Sequence, residues 1–185
     1  MSIHEAFRQA LLLNELSGNV NAAYRFSDAS HESGLSFGVC QFDVSHNTVA
    51  VKCLREIGFT EDEIAAVKKK AGGGLSEKLA AHKAIIDRYD AAQIKECLDH
   101  VLTIAKSRKI TFASDEALLH AADYDNQYYM SNNGKMASAL AALGRPVEPL
   151  DILNVKLKTA WGQKRPDDVK RRYNNIAKLM SADRA

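Results

Sequence analysis

The sequence predicts a mainly α-helical protein with a small β-containing lobe. Apolar residues recur at helical spacing through most of the 185 residues. The short apolar and aromatic pieces typical of strands are confined to residues 22–42. A chain of this length fits one domain with a sizeable core, so we expect a single domain over residues 1–185, with room for two lobes.

Helices are predicted along the chain from periodicity and from capping residues. The first covers residues 2–16, where apolar side chains from Ile3 to Leu13 share one face. Thr60 followed by Glu63 predicts a capping box, in which each residue accepts a backbone N–H of the other. The other predicted helices cover 44–57, 60–71, 75–89, 91–109 and 114–122, begin after Asn133-Gly134, run from Pro149 to Trp161, and cover 167–180.

Residues 19–43, the predicted β-containing lobe, interrupt the helical pattern. The stretch SGLSFGVCQFD, residues 33–43, is rich in glycine and aromatic residues in a chain otherwise built of alanine, leucine, lysine and glutamate. Glycine lets the backbone turn and approach a ligand closely, so this segment suits a binding site. A small hairpin or ribbon is predicted from Tyr24, Phe26, Ser36, Phe37 and Val39.

Composition limits the kinds of binding partner, metal site and membrane segment that the chain can have. The 25 basic and 23 acidic side chains give a formal charge of +2, which does not indicate a protein that binds polyanions through many phosphate contacts. The three cysteines form no C-x-x-C pair, so we expect reduced, mostly buried thiols and no metal site. No apolar stretch of about 18 residues occurs. The chain is expected to be made in the cytoplasm as a soluble protein without a Sec-type signal.

Glu15 is the candidate general acid. It ends the first predicted helix beside Leu12, Leu13 and Leu16. Loss of water around a carboxyl group disfavours its charged form and raises its pKa, which suits proton donation near neutral pH. The alternative is a solvated glutamate at a helix C-terminus.

Residues 14–43, NELSGNVNAAYRFSDASHESGLSFGVCQFD, resemble the active-site segment of the lysozyme superfamily. That segment has a helix ending in Glu, an Ala-Tyr step, an Asp in a turn, and then Ser or Thr before an apolar residue and Gly. The resemblance implies that Glu15 is the acid, Asp28 the second carboxylate and Ser36 the hydroxyl near the attacking water, with Tyr24 in substrate binding.

A second match is to goose-type lysozymes and lytic transglycosylases, which carry Gly-x-x-Gln after the catalytic Glu. Gly38-Val39-Cys40-Gln41 fits this motif, which implies that Gln41 lines the sugar cleft.

Residues 160–176, AWGQKRPDDVKRRYNNI, resemble the C-terminal end of phage lysozymes, with Trp161, Pro166, Lys170 and Arg171 in the corresponding places. The resemblance implies a lysozyme-like architecture and no metal or organic cofactor. It also implies an enzyme that cleaves bacterial peptidoglycan between N-acetylmuramic acid and N-acetylglucosamine, by hydrolysis or by lytic transglycosylation.

The identity of the second carboxylate stays open. The spacing from Glu15 to Asp28 is longer than in typical phage lysozymes, so Glu32 or Asp43 is an alternative. His31 beside Glu32 either tunes that carboxylate or is solvated. Asp43 is also a candidate N-cap of the helix that follows it.

Further candidates lie toward the C-terminus. In HAADYDNQYYMSNN, Tyr124 and Asn126 are assigned to sugar binding, because aromatic faces stack on sugar rings and amides bond hydroxyl groups. Packing of the tyrosines with each other is the alternative. The basic C-terminal helix and Lys68-Lys69-Lys70 either face solvent or contact an anionic wall polymer or membrane surface.

Two rival functions remain. One is a helix-turn-helix protein that reads nucleic acid with Arg165, Lys170, Arg171 and Arg172, although the near-neutral charge argues against nucleic acid. The other is a catalytically silent lysozyme-fold protein of walls or virions. We expect a monomer that acts in the periplasm or cell wall, as a phage endolysin released through a holin or as an effector delivered by a secretion system.

Overall fold

The computed structural model describes residues 1–28, 33–72 and 74–183. In these ranges it contains ten α-helices, one short 3₁₀ helix (Val20–Tyr24) and a small antiparallel sheet, so the mainly α-helical class is confirmed. The helices are α1 (Ile3–Leu16), α2 (Thr48–Ile57), α3 (Glu61–Lys68), α4 (Ser76–Ala80), α5 (Lys83–Arg108), α6 (Asp115–Tyr128), α7 (Lys135–Ala141), α8 (Pro149–Leu157), α9 (Ala160–Lys164) and α10 (Pro166–Ala182).

The chain divides into two compact units. The β-containing unit is Glu15–Gln93, and the helical unit combines Met1–Asn14 with Ile94–Ala185. The boundaries fall inside α1 and α5, so two helices each contribute residues to both units. The prediction of a single domain stays a prediction.

The sheet of the β-containing unit has the strand order β1 (Ser27–Asp28), β2 (Leu35–Phe37), β3 (Phe42–Asp43). Both pairings are antiparallel, and Ser36 of β2 lies opposite Ser27 on one side and Asp43 on the other. The predicted ribbon is therefore confirmed at β2. The prediction was wrong for Tyr24, which ends the 3₁₀ helix, and for Phe26 and Val39, which lie just outside the strands.

An aromatic cluster anchors this sheet. Phe37 and Phe42 are fully buried or nearly so, with ring centroids 5.7 Å apart. Phe26 packs its ring edge-on against Phe37 and against Phe59, at 5.9 Å in both cases. These contacts attach the short strands to the segment between α2 and α3, and such short strands need support because an isolated hairpin is marginally stable.

Helix boundaries show where local signals suffice. The predicted capping box is present, with Thr60 accepting from the Glu63 N–H and Glu63 accepting from the Thr60 N–H. The predicted break near residue 90 is wrong, because α5 continues through it and the chain breaks at residues 81–82 instead. Ala91 and Ala92 favour helix, and the side chain of Asp90 is used in tertiary contacts instead of ending the helix.

Two further boundaries differ from the prediction for identifiable reasons. Helix α6 continues to Tyr128, six residues beyond its predicted end. The helix predicted from Pro149 to Trp161 is two helices, because Thr159 has extended backbone and caps α9 by accepting from the Gly162 N–H.

A buried carboxylate organises the helical unit. Asp123 of α6 is 1% exposed, and it accepts bonds from Lys156 of α8, Arg172 of α10 and Asn14 of α1. Burial alone would raise the pKa of Asp123, but the two cations outweigh it and hold the pKa far below its usual range. One anion thus ties four helices together.

His120, one turn before Asp123, is buried without a full set of partners. It is 4% exposed and stacks on Tyr173 with ring centroids 4.6 Å apart. Within the described part of the chain its Nε2 atom has no hydrogen-bond partner. Burial lowers the pKa of His120 from 6.5 to about 4, against the opposing charge of Asp123.

The unfolding free energy is therefore expected to fall as the pH drops from 6.5 to 4. In that window the unfolded chain binds a proton at residue 120 and the folded chain does not, so protonation favours unfolding by up to about 3 kcal/mol. His120→Phe keeps the ring stack and removes the titration. Denaturant unfolding across the window should show a shallower pH dependence in His120→Phe, and equal slopes in the two proteins would contradict this account.

Candidate functional site

Glu15 lies in the last turn of α1, as predicted, and is half-buried. The chain turns immediately after it, because Ser17 and Gly18 both have left-handed backbone with φ of 52° and 81°. The 3₁₀ helix and the sheet follow directly. Glu15 is therefore carried on the end of a helix at the entry to the β-containing unit.

The Gly38–Gln41 turn joins β2 to β3 and is held by Asp90 of α5. Asp90 is fully buried, and its two oxygens accept the backbone N–H groups of Val39 at 2.9 Å and Cys40 at 3.0 Å. Gly38 has φ of +77°, and a Cβ there would lie 2.8 Å from an Asp90 oxygen. The glycine is thus required both by the backbone conformation and by the close approach of the carboxylate.

The Gln41 amide is bonded at both ends. Its nitrogen donates to the Gly38 carbonyl at 2.9 Å, and its oxygen accepts from the Ser27 hydroxyl at 2.8 Å. Gln41 therefore braces the turn against β1, a role that the sequence did not reveal. Its contact with sugar stays a prediction.

Asp28 and Ser36 lie on the sheet but differ in exposure and direction. Asp28 is exposed in β1, and its carboxylate is 2.7 Å from the Lys70 ammonium. Ser36 is 2% exposed in β2. Ser36 is paired with Ser27, the neighbour of Asp28, so the pleat directs Asp28 and Ser36 to opposite faces of the sheet.

Asp43 is committed to the loop that follows β3. One carboxylate oxygen accepts from the N–H groups of Gly34 and Ser45, and the other is 2.9 Å from His46 Nδ1. Burial alone would raise the pKa of Asp43, but these bonds outweigh it and lower the pKa. The prediction of Asp43 as the N-cap of the next helix was wrong, because Asn47 caps α2.

The other carboxylate alternative, Glu32, lies outside the described residues, as does His31. Tyr24 is described and buried, and its hydroxyl donates to Asp87 of α5 at 2.8 Å. The polar end of Tyr24 is thus used within the unit. Its role in substrate binding stays a prediction.

Tyr124 and Asn126 lie on α6 of the helical unit, both half-buried. The Tyr124 ring packs against Tyr128 at 5.2 Å, and burial raises the pKa of both phenols, that of Tyr128 to about 12. Tyr129 is 70% exposed and stacks on His100 at 4.5 Å. The tyrosines therefore pack with their neighbours and also leave one aromatic face open.

The basic residues near the C-terminus fall into two groups. Arg172 is buried against Asp123, so the proposed contact of Arg172 with a nucleic-acid phosphate is wrong in this structure. Arg171 pairs with Asp168 and also donates to the Asn14 carbonyl. Arg165 and Lys170 are exposed.

Cys40, Cys53 and Cys97 are buried free thiols, which confirms the predicted state. Within the described ranges, no group of three or more His, Cys, Asp or Glu side chains is arranged to hold a metal ion. Among the same residues, no helix combines the length and apolar character needed to span a bilayer.

Comparison with known proteins leaves the site to be interpreted from its own geometry. No family model, curated protein or solved structure matches the chain.

Asp90 is the site residue that the sequence analysis missed, and a signal for it exists. Asp90 lies four residues from Ile86 and from Ile94, and both are buried. A single aspartate in the apolar stripe of a helix indicates a buried carboxylate with dedicated donors.

Asp90→Asn is expected to lower the unfolding free energy by about 2–4 kcal/mol. The asparagine NH2 group replaces one acceptor oxygen, so it faces a backbone N–H that then has no acceptor. Asp99→Asn is the control on the same helix, where the side chain is exposed. Its expected change is within about 0.5 kcal/mol. Urea unfolding measures both, and an Asp90 variant as stable as the control would contradict the role assigned to this carboxylate.

Proposed function

We propose that the protein is a peptidoglycan glycosidase that cuts the glycan strand between N-acetylmuramic acid and N-acetylglucosamine, with Glu15 as general acid. The observation that carries the proposal is the order of secondary-structure elements within the β-containing unit. A helix ends one residue after Glu15, and the chain then forms a three-stranded sheet that bears an exposed carboxylate, Asp28.

The chemistry calls for this combination of groups. Cleavage of a glycosidic bond passes through an oxocarbenium-like transition state, so one group protonates the leaving oxygen. Another group supplies negative charge or positions water on the opposite side of the sugar. Glu15 is half-buried in the last turn of α1, next in the chain to the buried Leu16. Its position at the end of α1 is the reason that we assign it the proton-donating role.

Asp28 suits the second role better than Asp43. The Asp28 side chain is 57% exposed, so a sugar can approach its carboxylate while Lys70 holds it from one side. Both oxygens of Asp43 already accept bonds from the protein. Using Asp43 in catalysis would take an acceptor away from the N–H groups of the loop that it stabilises.

Ser36, Gly38 and Gln41 support the site through the backbone in this proposal. Ser36 is too buried to hold the attacking water, so we assign it to the sheet. Gly38 and Gln41 fix the turn that sets the register of β2 and β3. The stability of the turn thus gives a reason for the Gly-x-x-Gln pattern that is separate from any contact with sugar.

The reaction has two possible outcomes for the same Glu15. With water as the acceptor, cleavage leaves a reducing sugar end. If the substrate's own hydroxyl attacks, Glu15 acts first as acid and then as base, and the product is an anhydro sugar. Peptidoglycan is the partner in either case. The wall or periplasm is then the place of action, reached through a holin or a secretion system.

The rival functions have less support. Of the four residues assigned to phosphates in a nucleic-acid reader, Arg172 is buried with Asp123. A catalytically silent wall or virion protein would share the fold without depending on Glu15.

Glu15→Gln is expected to reduce lysis of purified cell walls by at least about 100-fold, the scale of a lost general acid, with an unchanged melting temperature. Glu5→Gln is the matched control, because Glu5 is an exposed glutamate in the first turn of the same helix. Turbidity loss and clearing in a peptidoglycan gel measure the effect.

Equal lysis by the folded Glu15 variant and the wild type would refute the role of Glu15. No clearing by the wild type, together with a DNA mobility shift, would favour the nucleic-acid reader.

A matched pair of variants separates the two carboxylates of the sheet. Asp28→Asn is expected to lower lysis at least about tenfold with little change in stability, because the side chain is exposed. Asp43→Asn is expected to lower the unfolding free energy by about 1–3 kcal/mol, since the side chain loses its charge and the second acceptor oxygen, which faces His46. The folded fraction of Asp43→Asn should keep its specific activity. The reverse pattern would move the catalytic role to Asp43.

A further inference from the structure

Trp161, the one tryptophan of the sequence, lies on the surface of the helical unit. Its side chain is 45% exposed in the short helix α9, in which Gly162 is the buried residue. A large apolar ring at the surface contributes less to folding than a buried one. An exposed apolar ring with polar or charged side chains around it is typical of a binding surface.

The position of α9 is fixed by close backbone packing. A Cβ at residue 162 would lie 2.0 Å from the Lys156 carbonyl oxygen, so the α9 backbone lies directly against the end of α8. The Thr159 hydroxyl accepts from the Gly162 N–H at 3.0 Å and caps the helix. This packing and the cap fix the position of the α9 backbone that carries Trp161.

Four exposed cations lie within nine residues of Trp161 along the chain. We use the name Trp161 patch for these residues together: Lys158, Trp161, Lys164, Arg165 and Lys170. The Arg165 guanidinium is 5.9 Å from the centre of the indole ring. Within the part of the chain that the structure describes, none of the four cations forms an ion pair.

The local carboxylates do not neutralise this patch. Asp168 is paired with Arg171, which leaves Asp167 as the one exposed carboxylate outside an ion pair between residues 158 and 170 of the described chain. Elsewhere on the surface, Arg55 and Arg145 pair with Glu61 and Asp151. The patch therefore combines an accessible indole with uncompensated positive charge.

We propose that the Trp161 patch binds the headgroup region of an anionic phospholipid bilayer. An indole ring favours the interface between headgroups and acyl chains, where its apolar body and its N–H are both accommodated. Lysine and arginine extend from such a ring to lipid phosphates. A soluble polyphosphate would neutralise the cations but offers no apolar layer for the indole. The proposal does not depend on the glycosidase site.

The intrinsic fluorescence of Trp161 reports binding directly, because the chain has no other tryptophan. Vesicles of phosphatidylcholine mixed with phosphatidylglycerol should shift the emission to shorter wavelength in a saturable manner and carry the protein into the pellet on centrifugation. Pure phosphatidylcholine vesicles should do neither. Added salt should weaken binding, since the attraction is screened.

The double variant K164E/R165E keeps the fluorescent reporter and is expected to reduce partition into anionic vesicles at least about tenfold. K52E/K135E makes the same change in net charge at exposed lysines elsewhere and should reduce it less than about threefold. Trp161→Ala, followed by co-sedimentation, should also weaken binding.

The proposal is overturned by equal binding to charged and neutral vesicles, by unchanged binding of K164E/R165E, or by an equal loss in K52E/K135E. An emission shift with soluble DNA or polyphosphate but not with vesicles would also overturn it, and would assign the patch to a polyanion.

Discussion

The buried carboxylate of Asp90 is the constraint on which the β-containing unit depends. A carboxylate without water needs donors, and Asp90 takes them from the backbone of Val39 and Cys40. That contact brings the turn against α5 and leaves room only for glycine at residue 38. This Gly38–Gln41 turn sets the pairing of Phe37 with Phe42, and so places β3 beside β2. The sheet that carries Asp28 is thus positioned by Asp90 of α5, which lies 50 residues after Cys40 in the chain.

The helical unit accommodates a buried carboxylate in a different way. Asp123 is balanced by Lys156 and Arg172, and these two cations are consequently withdrawn from the surface. The basic appearance of the C-terminal sequence therefore overstates what a partner can reach. Of the basic residues that remain exposed, Arg165 lies over the Trp161 ring, in the segment to which we assign lipid binding.

Much of the fold was predictable because its signals are local. The capping box at Thr60 and the turn after Glu15 depend on residues a few positions apart, and both are present. The partners of Asp90, Gln41 and Asp123 were not predictable, because each bond joins distant segments or depends on a turn whose geometry only the folded chain defines. The same reason explains why Arg172 was taken for a surface residue. The catalytic roles proposed for Glu15 and Asp28 come from the resemblance and from their places in the sequence. The structure adds that Glu15 is half-buried and that Asp28 is exposed and paired with Lys70.

We propose that the protein cuts a glycosidic bond, and mass spectrometry of muropeptides can show whether it does. Purified peptidoglycan incubated with the protein should release fragments with new sugar ends. Their masses identify either reducing ends or anhydro ends, which differ by one water. Fragments cut only within the peptide stems, or no fragments at all from the folded protein, would contradict the claim.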